Sequence, residues 1–207
     1  MDFMTTNLYL YLSVYLISGI PFGYILAKLF AGVDIKNEGS GNIGATNVLR
    51  VVKEKDEKLA KKLGAITLIL DALKGVIVLL IAIYLDVNDS VLWTIALLAV
   101  VGHCFSPFLM FEGGKGVATG FGVLSVMMPI PALIAIVVWG IASRGLKISS
   151  LSSLIGLVAF IIASYLLYPV VDGIGSHSPI WIIAIIITYK HTPNIVRLFK
   201  KEEGAVV

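Results

Sequence analysis

The feature that most constrains the fold is a series of long apolar runs, the first at Leu8–Phe30 and the last at Ile180–Phe199. Runs of about 20 apolar residues match the hydrocarbon core of a bilayer. Of the 207 residues, 58% are hydrophobic and only 14% are charged, whereas about a quarter are charged in soluble domains. We therefore predict an all-α integral membrane protein with a single transmembrane helical domain over residues 1–207.

The order of these runs and the positions of basic residues predict the topology. The apolar runs cover 8–30, 63–85, 91–110, 117–143, 149–168 and 180–199, and prolines interrupt the first run (Pro21) and the fourth (Pro129, Pro131). Basic residues crowd segment 36–62, which favours a cytoplasmic location. If the fourth run crosses twice, every basic loop is cytoplasmic. We predict a kink at Pro21 and seven transmembrane helices, with helices four and five short, the N-terminus outside and the C-terminus cytoplasmic.

A polar stretch, Gly39–Arg50 (GSGNIGATNVLR), follows the first apolar run. Glycines allow backbone N–H groups to converge on an anion, and an arginine can bind phosphate through two parallel hydrogen bonds. The G-x-G-x-x-G spacing is no dinucleotide fingerprint here, because no strand precedes it. The alternative is a solvated membrane loop. The predicted phosphate-binding residues are Gly39, Ser40, Gly41, Asn42, Gly44, Thr46, Asn47 and Arg50.

Two further polar motifs fall on the same predicted membrane face. In the turn FEGGKG, three glycines (Gly113, Gly114 and Gly116) flank Lys115. We predict that their backbone N–H groups bind substrate phosphate, with Lys115 as a point charge. The alternative is a tight turn with an interfacial lysine.

In KHTPNIVR, His191 and Asn194 are spaced i,i+3 and share a helix face if the helix continues through Pro193. His191 is a candidate general base or phosphate donor, and Asn194 can orient its imidazole. The alternative for His191 is an interfacial polar residue.

Three further candidate residues are ionisable and lie inside predicted membrane helices. Asp71 and Lys74 are one turn apart in the second run, and groups of this kind usually face a bundle interior. One possibility is that Asp71 and Lys74 form a structural pair. The alternative is that Lys74 faces the phosphate site. His103 in the third run either bonds to another helix or reaches that site. No paired acidic motifs with metal-binding spacing lie on the cytoplasmic side, and we predict no metal, no cofactor and no nucleic-acid partner.

The segments SGNIGATNVLR, GHCFSPFLMFEGGKGVATG and KHTPNIVRL, in this order, closely resemble the bacterial membrane-bound acyl-phosphate:glycerol-3-phosphate acyltransferase family. The resemblance covers nearly the whole chain. It departs from the family pattern at Ser106, which precedes Pro107 where a phenylalanine is usual, and in the terminal GAVV.

This resemblance implies transfer of an acyl group from acyl phosphate to the 1-hydroxyl of sn-glycerol 3-phosphate, giving lysophosphatidic acid and inorganic phosphate. It also implies seven helices with the N-terminus outside, and a site at the cytoplasmic face of the bacterial plasma (inner) membrane. We expect a monomer and direct attack on the acyl carbonyl, with the acyl chain between helices. A covalent intermediate at Ser40 is the weaker alternative. The expected catalytic residues are Ser40, Arg50, Lys115, His191 and Asn194.

Two other classes of protein remain open from the sequence. Kinked and broken helices near an anion site also suit a transporter or channel for a small organophosphate, although the chain has no obvious inverted repeat. A binding or assembly subunit of a lipid-synthesis complex is a third reading, and it leaves the paired phosphate motifs without a role.

Overall fold

A computed structural model describes the backbone of residues 3–204 and the side chains of residues 7–204, and within that range every regular element is a helix. The terminal GAVV lies mostly outside the described residues. The α-helices are α1 (Phe3–Gly19), α2 (Phe22–Leu26), α3 (Ala45–Lys53), α4 (Glu57–Tyr84), α5 (Asp89–Cys104), α6 (Val117–Met127), α7 (Pro129–Leu146), α8 (Ser149–Leu167), α9 (Ser178–Lys190) and α10 (Thr192–Phe199).

Within residues 3–204, five helical segments are long and apolar enough to cross a membrane, namely Asn7–Ala31, Glu57–Tyr84, Asp89–Leu109, Pro129–Leu146 and Ser149–Leu167. Two shorter apolar helices, α6 and α9, accompany them. Helix four of the predicted series is short, as expected, at 11 residues. Helix five was also predicted to be short, but the corresponding helix, α7, has 18 residues. The count of seven membrane crossings and the orientation of the termini stay predictions.

The first membrane segment is interrupted at Pro21, which confirms the predicted kink. Helix α1 ends at Gly19 and α2 begins at Phe22, after which the chain forms a short π-helix over Ala27–Ala31. Proline removes a backbone donor and leaves carbonyls of the preceding turn without helical partners. Other helices supply those partners: Ser106 Oγ donates to Gly19 O at 2.6 Å and Lys74 Nζ donates to Ile20 O at 3.1 Å. The break is thereby fixed to the bundle.

The core forms where helices approach closely, chiefly α1 with α5, α4 with α6, α3 with α4, and α7 with α8. The contact between α4 and α6 depends on glycines. A Cβ atom added at Gly122 would lie 2.2 Å from the carbonyl oxygen of Ala72, and one at Gly75 would lie 2.9 Å from that of Thr119. Because α6 packs so closely, the turn at its N-terminus is held against the end of α5.

The last apolar run is not the single helix predicted over Ile180–Phe199. Helix α9 ends at Lys190 and α10 begins at Thr192, with His191 between them. Pro193 lies in the first turn of α10, where its missing N–H costs nothing, whereas in a helix interior it would break a hydrogen bond. His191 therefore lies at a junction between two helices.

Candidate active site

A polar pocket of about 120 Å³ lies at the junction of the three motifs. It brings together most of the residues predicted from the sequence, from all three motifs and from α5. These are Ser40, Asn42, Gly44, Thr46, Asn47, Arg50, His103, Lys115, Gly116, His191 and Asn194. Three motifs that are distant in sequence thus form one pocket.

Asn47, on α3, organises the glycine-rich loop, which is the segment 32–44 between the π-helix and α3. Its Nδ2 donates to Ile35 O at 2.9 Å and to Glu38 O at 3.1 Å, and its Oδ1 accepts from Ser40 N–H at 2.8 Å. Both amide donors are therefore in use, and the side chain is almost fully buried. The prediction that Asn47 donates to phosphate is not supported by this geometry, and its role is to hold the loop that carries Ser40.

The glycines of this loop contribute more to its backbone conformation than to the lining of the pocket. Gly39 and Gly41 do not line the pocket; both have positive φ, 62° and 70°, which only glycine adopts readily. A Cβ atom at Gly39 would lie 2.4 Å from Asn47 Oδ1. The N–H groups of Gly41 and Gly44 donate within the loop, to Glu38 O and Asn42 Oδ1. The loop thus presents side chains to the pocket rather than these glycine amides.

The FEGGKG turn is fixed in a similar way. Gly113 N–H donates to Cys104 O at 3.1 Å and Gly114 N–H to His103 O at 3.0 Å. The prediction that these two N–H groups bind phosphate therefore does not fit the structure, and neither glycine lines the pocket. The turn instead delivers Lys115. An ion pair between Lys36 and Glu112 at 3.0 Å ties the turn to the glycine-rich loop.

Lys115 supplies a positive charge next to Arg50 in the pocket. Burial lowers the pKa of its ammonium group from 10.5 to about 8, and the charge of Glu203 partly opposes that effect while Arg197 and Arg50 add to it. The lysine is consequently still mostly protonated at neutral pH. Two cationic side chains in one small pocket favour an anion with several oxygens, such as a phosphate.

His191 is held as a neutral imidazole. Burial lowers its pKa to about 4, with an opposing effect from its hydrogen bond to Ile187 O and a smaller lowering by Lys115. The ring Nδ1 lies 2.8 Å from that carbonyl, which only accepts, so Nδ1 is assigned the proton and Nε2 the lone pair. The predicted orientation by Asn194 is wrong, because the backbone of α9 orients this ring.

A carboxylate that the sequence interpretation missed, Glu203, closes one side of the pocket. Its Oε1 accepts from Ser150 Oγ at 2.8 Å and Asn194 Nδ2 at 2.5 Å, and its Oε2 accepts from Arg197 Nε at 2.6 Å. Partial burial opposes ionisation, but these hydrogen bonds outweigh it and keep the pKa of Glu203 below its usual range. Asn194 Oδ1 is left buried without a partner among the described residues.

Further missed lining residues, most of them polar, come from α7 and α8. The sequence signal for them is the cluster of serines at the start of an apolar run, ISSLSS. Thr46 Oγ1 lies 3.1 Å from Ser149 Oγ, so the start of α3 contacts the start of α8 directly. These missed lining residues are Trp139, Ser149, Ser150 and Ser153.

Asp71, Lys74 and His103, which lie inside membrane helices, form one cluster at the pocket. Lys74 Nζ lies 2.9 Å from Asp71 Oδ1, which confirms a buried pair, and His103 Nδ1 lies 3.7 Å from the same oxygen. Asp71 and His103 line the pocket, but Lys74 does not. Lys74 is thus excluded as a pocket-lining residue in this conformation, and His103 does reach the site.

An apolar cavity of about 310 Å³ adjoins the polar pocket and shares five lining residues with it. The shared residues are Leu68, Val117, Ala118, Trp139 and Ser153. The cavity then continues between α6, α7 and α8, past Gly156 to Leu124 and Phe160. The fold and the two cavities define a multi-pass membrane protein that can hold a phosphorylated group beside an apolar chain.

Comparisons with known proteins identify the family. The family model described as glycerol-3-phosphate acyltransferase matches residues 8–201. Relatives of that name include proteins of Sulfurimonas denitrificans (57% identical over 208 residues, with 100% of each chain covered) and Aliarcobacter butzleri (59% over 208 residues, again with 100% of each).

Among solved structures, PlsY (YgiH), described as an integral membrane glycerol 3-phosphate acyltransferase in its glycerol 3-phosphate form, superposes with a TM-score of 0.86. It is 35% identical, and the match covers 97% of this chain and 95% of that one. The chain belongs to the glycerol-3-phosphate acyltransferase family, and the protein is a membrane acyltransferase.

Proposed function

We propose that the protein transfers an acyl group from acyl phosphate to the 1-hydroxyl of glycerol 3-phosphate and releases lysophosphatidic acid and inorganic phosphate. The observation that carries this proposal is the shared wall between the polar pocket and the apolar cavity. Relatives named glycerol-3-phosphate acyltransferase and solved forms of PlsY with glycerol 3-phosphate and with lysophosphatidic acid support the acceptor and the product.

The donor is inferred from charge and shape. Arg50 and Lys115 bring two cationic groups to a pocket that also receives the head of an apolar chain. Both proposed substrates carry phosphate, and acyl phosphate in addition supplies a chain for the apolar cavity. Leu68 and Ile69 on its rim are 46% and 54% exposed, so the chain enters from the lipid side.

The proposed reaction is a single displacement. The C1 hydroxyl oxygen of glycerol 3-phosphate attacks the acyl carbonyl carbon, and the bond from that carbon to the phosphate oxygen breaks. Phosphate leaves with the bonding electrons, while Arg50 and Lys115 stabilise its charge. The hydroxyl proton passes to His191 Nε2 or to the leaving phosphate. No metal or other cofactor takes part in this scheme.

Ser40 acts through positioning rather than as a nucleophile in this scheme. A catalytic serine needs an adjacent base, and among the described residues no hydrogen bond joins Ser40 Oγ to His191 or to a carboxylate. Acyl phosphate already has a good leaving group, so a covalent step is unnecessary. We further propose that the protein works as a monomer in the bacterial inner membrane, with the pocket at the cytoplasmic face.

The decisive experiment uses the purified protein in lipid with palmitoyl phosphate and labelled glycerol 3-phosphate, without metal or nucleotide. We expect lysophosphatidic acid and phosphate in equal amounts. Activity with acyl-CoA but not acyl phosphate would overturn the donor, and an acyl-enzyme trapped at Ser40 would overturn direct attack. Transport of labelled glycerol 3-phosphate across the proteoliposome membrane without any acylation would show that the protein is a transporter and not this enzyme.

His191→Gln separates the two proton acceptors. Glutamine can still form hydrogen bonds but is no base, so we expect a loss of about 100-fold or more in kcat if His191 takes the proton. The control is Lys190→Gln at the neighbouring position, which does not line the pocket and should retain turnover. A wild-type kcat in His191→Gln would assign the proton to the leaving phosphate.

A further inference from the structure

The apolar cavity has a definite depth below the polar pocket. On α6 its lining residues run from Val117, which the polar pocket shares, to Leu124. On α8 they run from Ser153, which is also shared, to Phe160. The two residues of each pair are seven positions apart. At a rise of about 1.5 Å per residue, both helices therefore give a depth of about 10 Å.

The far end of the cavity is closed, whereas one side is open to lipid. Leu124 and Phe160 are 4% and 2% exposed and belong to the same buried cluster as Met128, so core side chains lie beyond that end. Two other lining residues, Ile69 on α4 and Ile136 on α7, are 54% and 39% exposed. A chain longer than the cavity must therefore bend outwards past these two residues.

The walls of the cavity are set by close helix contacts. A Cβ atom added at Gly156 on α8 would lie 3.1 Å from Trp139 Cβ and 3.3 Å from the carbonyl oxygen of Ala135 on α7. One added at Gly120 on α6 would lie 3.1 Å from Ile187 Cδ1. The helices thus have little space between them, and a side branch on a bound chain must displace packed atoms, which is unfavourable.

We infer that this cavity selects acyl donors by the structure of the part of the chain nearest the carbonyl and not by total chain length; this inference rests on the proposed function. An extended hydrocarbon advances about 1.25 Å per carbon, because C–C bonds of about 1.5 Å meet at about 111°. A depth of about 10 Å therefore encloses about eight carbons. The carbons beyond them lie in lipid, where a branch meets no fixed wall.

The test compares palmitoyl phosphate with its 6-methyl and 12-methyl derivatives, each at the same mole fraction in lipid. The two branched donors have the same composition, so they partition into the bilayer alike. We expect the 6-methyl branch to lower kcat/KM by about tenfold or more, because it overpacks the cavity. The 12-methyl donor should react like palmitoyl phosphate, because its branch lies in lipid.

Leu157 provides a variant that should reverse this discrimination. It lines the cavity four residues after Ser153, which places it about 6 Å from the polar end, level with the sixth carbon. In Leu157→Ala the space left by the side chain should accept the branch, so that the 6-methyl donor approaches palmitoyl phosphate in kcat/KM. Leu157→Val is the milder truncation if the alanine variant does not fold.

The matched control is Val158→Ala on the same helix. Val158 is 54% exposed and does not line the cavity, so this variant should keep the wild-type ratio of the two branched donors. Because each ratio is measured within one protein, a general loss of activity leaves it unchanged.

Equal kcat/KM values for the two branched donors in the wild type would overturn the inference, whether both match palmitoyl phosphate or both fall below it. A wild-type ratio in the folded Leu157 variant would overturn it as well, since the branch would then lie elsewhere. Absence of lysophosphatidic acid with unbranched palmitoyl phosphate would instead overturn the proposed function.

Discussion

At the scale of the residue, Lys115 gives the site a pH dependence. Its pKa of about 8 is lowered mainly by burial, so the ammonium charge is present below pH 8 and is lost as the pH rises through that value. The phosphate of glycerol 3-phosphate has already lost its second proton by then, since that pKa is about 6. We expect kcat/KM for glycerol 3-phosphate to fall about tenfold per pH unit above pH 8.

The matched variant for this prediction is Lys115→Arg, which keeps its charge throughout the alkaline range. The fall above pH 8 should disappear in this variant, even if its activity at pH 7 is lower. Rates measured from pH 6 to pH 9.5 decide the point. An identical alkaline limb in both proteins would assign the limb to another group.

Arg50 tests whether phosphate recognition needs geometry as well as charge. Lysine in its place retains the charge but loses the two parallel N–H donors. We expect Arg50→Lys to lower kcat/KM by about 10- to 100-fold, while Lys53→Arg, on the same helix but outside the pocket, leaves it unchanged. Wild-type turnover in Arg50→Lys would remove Arg50 from the phosphate site.

Residue roles were only partly predictable from the sequence. Composition located the polar residues that meet in the pocket, because polar side chains beside a membrane run are unusual. It did not show that the side-chain amide of Asn47 donates both of its hydrogens to backbone carbonyls of the glycine-rich loop. Nor did it show that the backbone N–H groups of Gly113 and Gly114 donate to carbonyls of α5. Those bonds depend on backbone geometry, and Glu203 reaches the pocket only because α10 returns the chain to it.

At the scale of the element, the close contact of α4 and α6 predicts a stability difference between two glycine variants. A Cβ atom at Gly122 would lie 2.2 Å from Ala72 O, whereas one at Gly140 in α7 meets nothing within 4 Å. We expect Gly122→Ala to destabilise the fold by about 1–3 kcal/mol through overpacking. Gly140→Ala should be neutral or stabilising by up to about 1 kcal/mol.

Thermal unfolding of both variants in the same detergent tests this difference. Equal Tm values would mean that α4 and α6 can separate without cost. Because α6 carries the turn that delivers Lys115, a lower Tm in Gly122→Ala should be accompanied by lower acyltransferase activity.

Prolines explain why some helix limits were predicted correctly and others were not. Pro21 interrupts a helix where it was expected to. Pro129 and Pro131 instead lie in the first turn of α7, where proline is tolerated, so the helix continues to Leu146 and is not short. Pro193 likewise lies in the first turn of α10, so the preceding helix α9 already ends at Lys190. The prolines mark where helices are interrupted. Whether a proline ends the preceding helix or starts the following one depends on packing.

At the scale of the whole molecule, the orientation in the membrane is the prediction that decides where the substrates must be supplied. If α6 and α9 cross the membrane together with the five longer segments, residues 85–88 lie outside and Lys201 lies in the cytoplasm. The positively charged residues near the pocket favour the same orientation. The natural cysteine, Cys104, is fully buried, so Cys104→Ser provides a background without reactive thiols.

Single cysteines introduced into that background test the orientation directly. In intact cells, a membrane-impermeant maleimide should label Asn88→Cys at once and Lys201→Cys only after the membrane is opened. Retained acyltransferase activity in each variant is the control for correct folding. Labelling of Lys201→Cys in intact cells would place the C-terminus outside. Labelling of both positions on the same side would mean an even number of crossings between them, and hence that α6 or α9 does not span the bilayer.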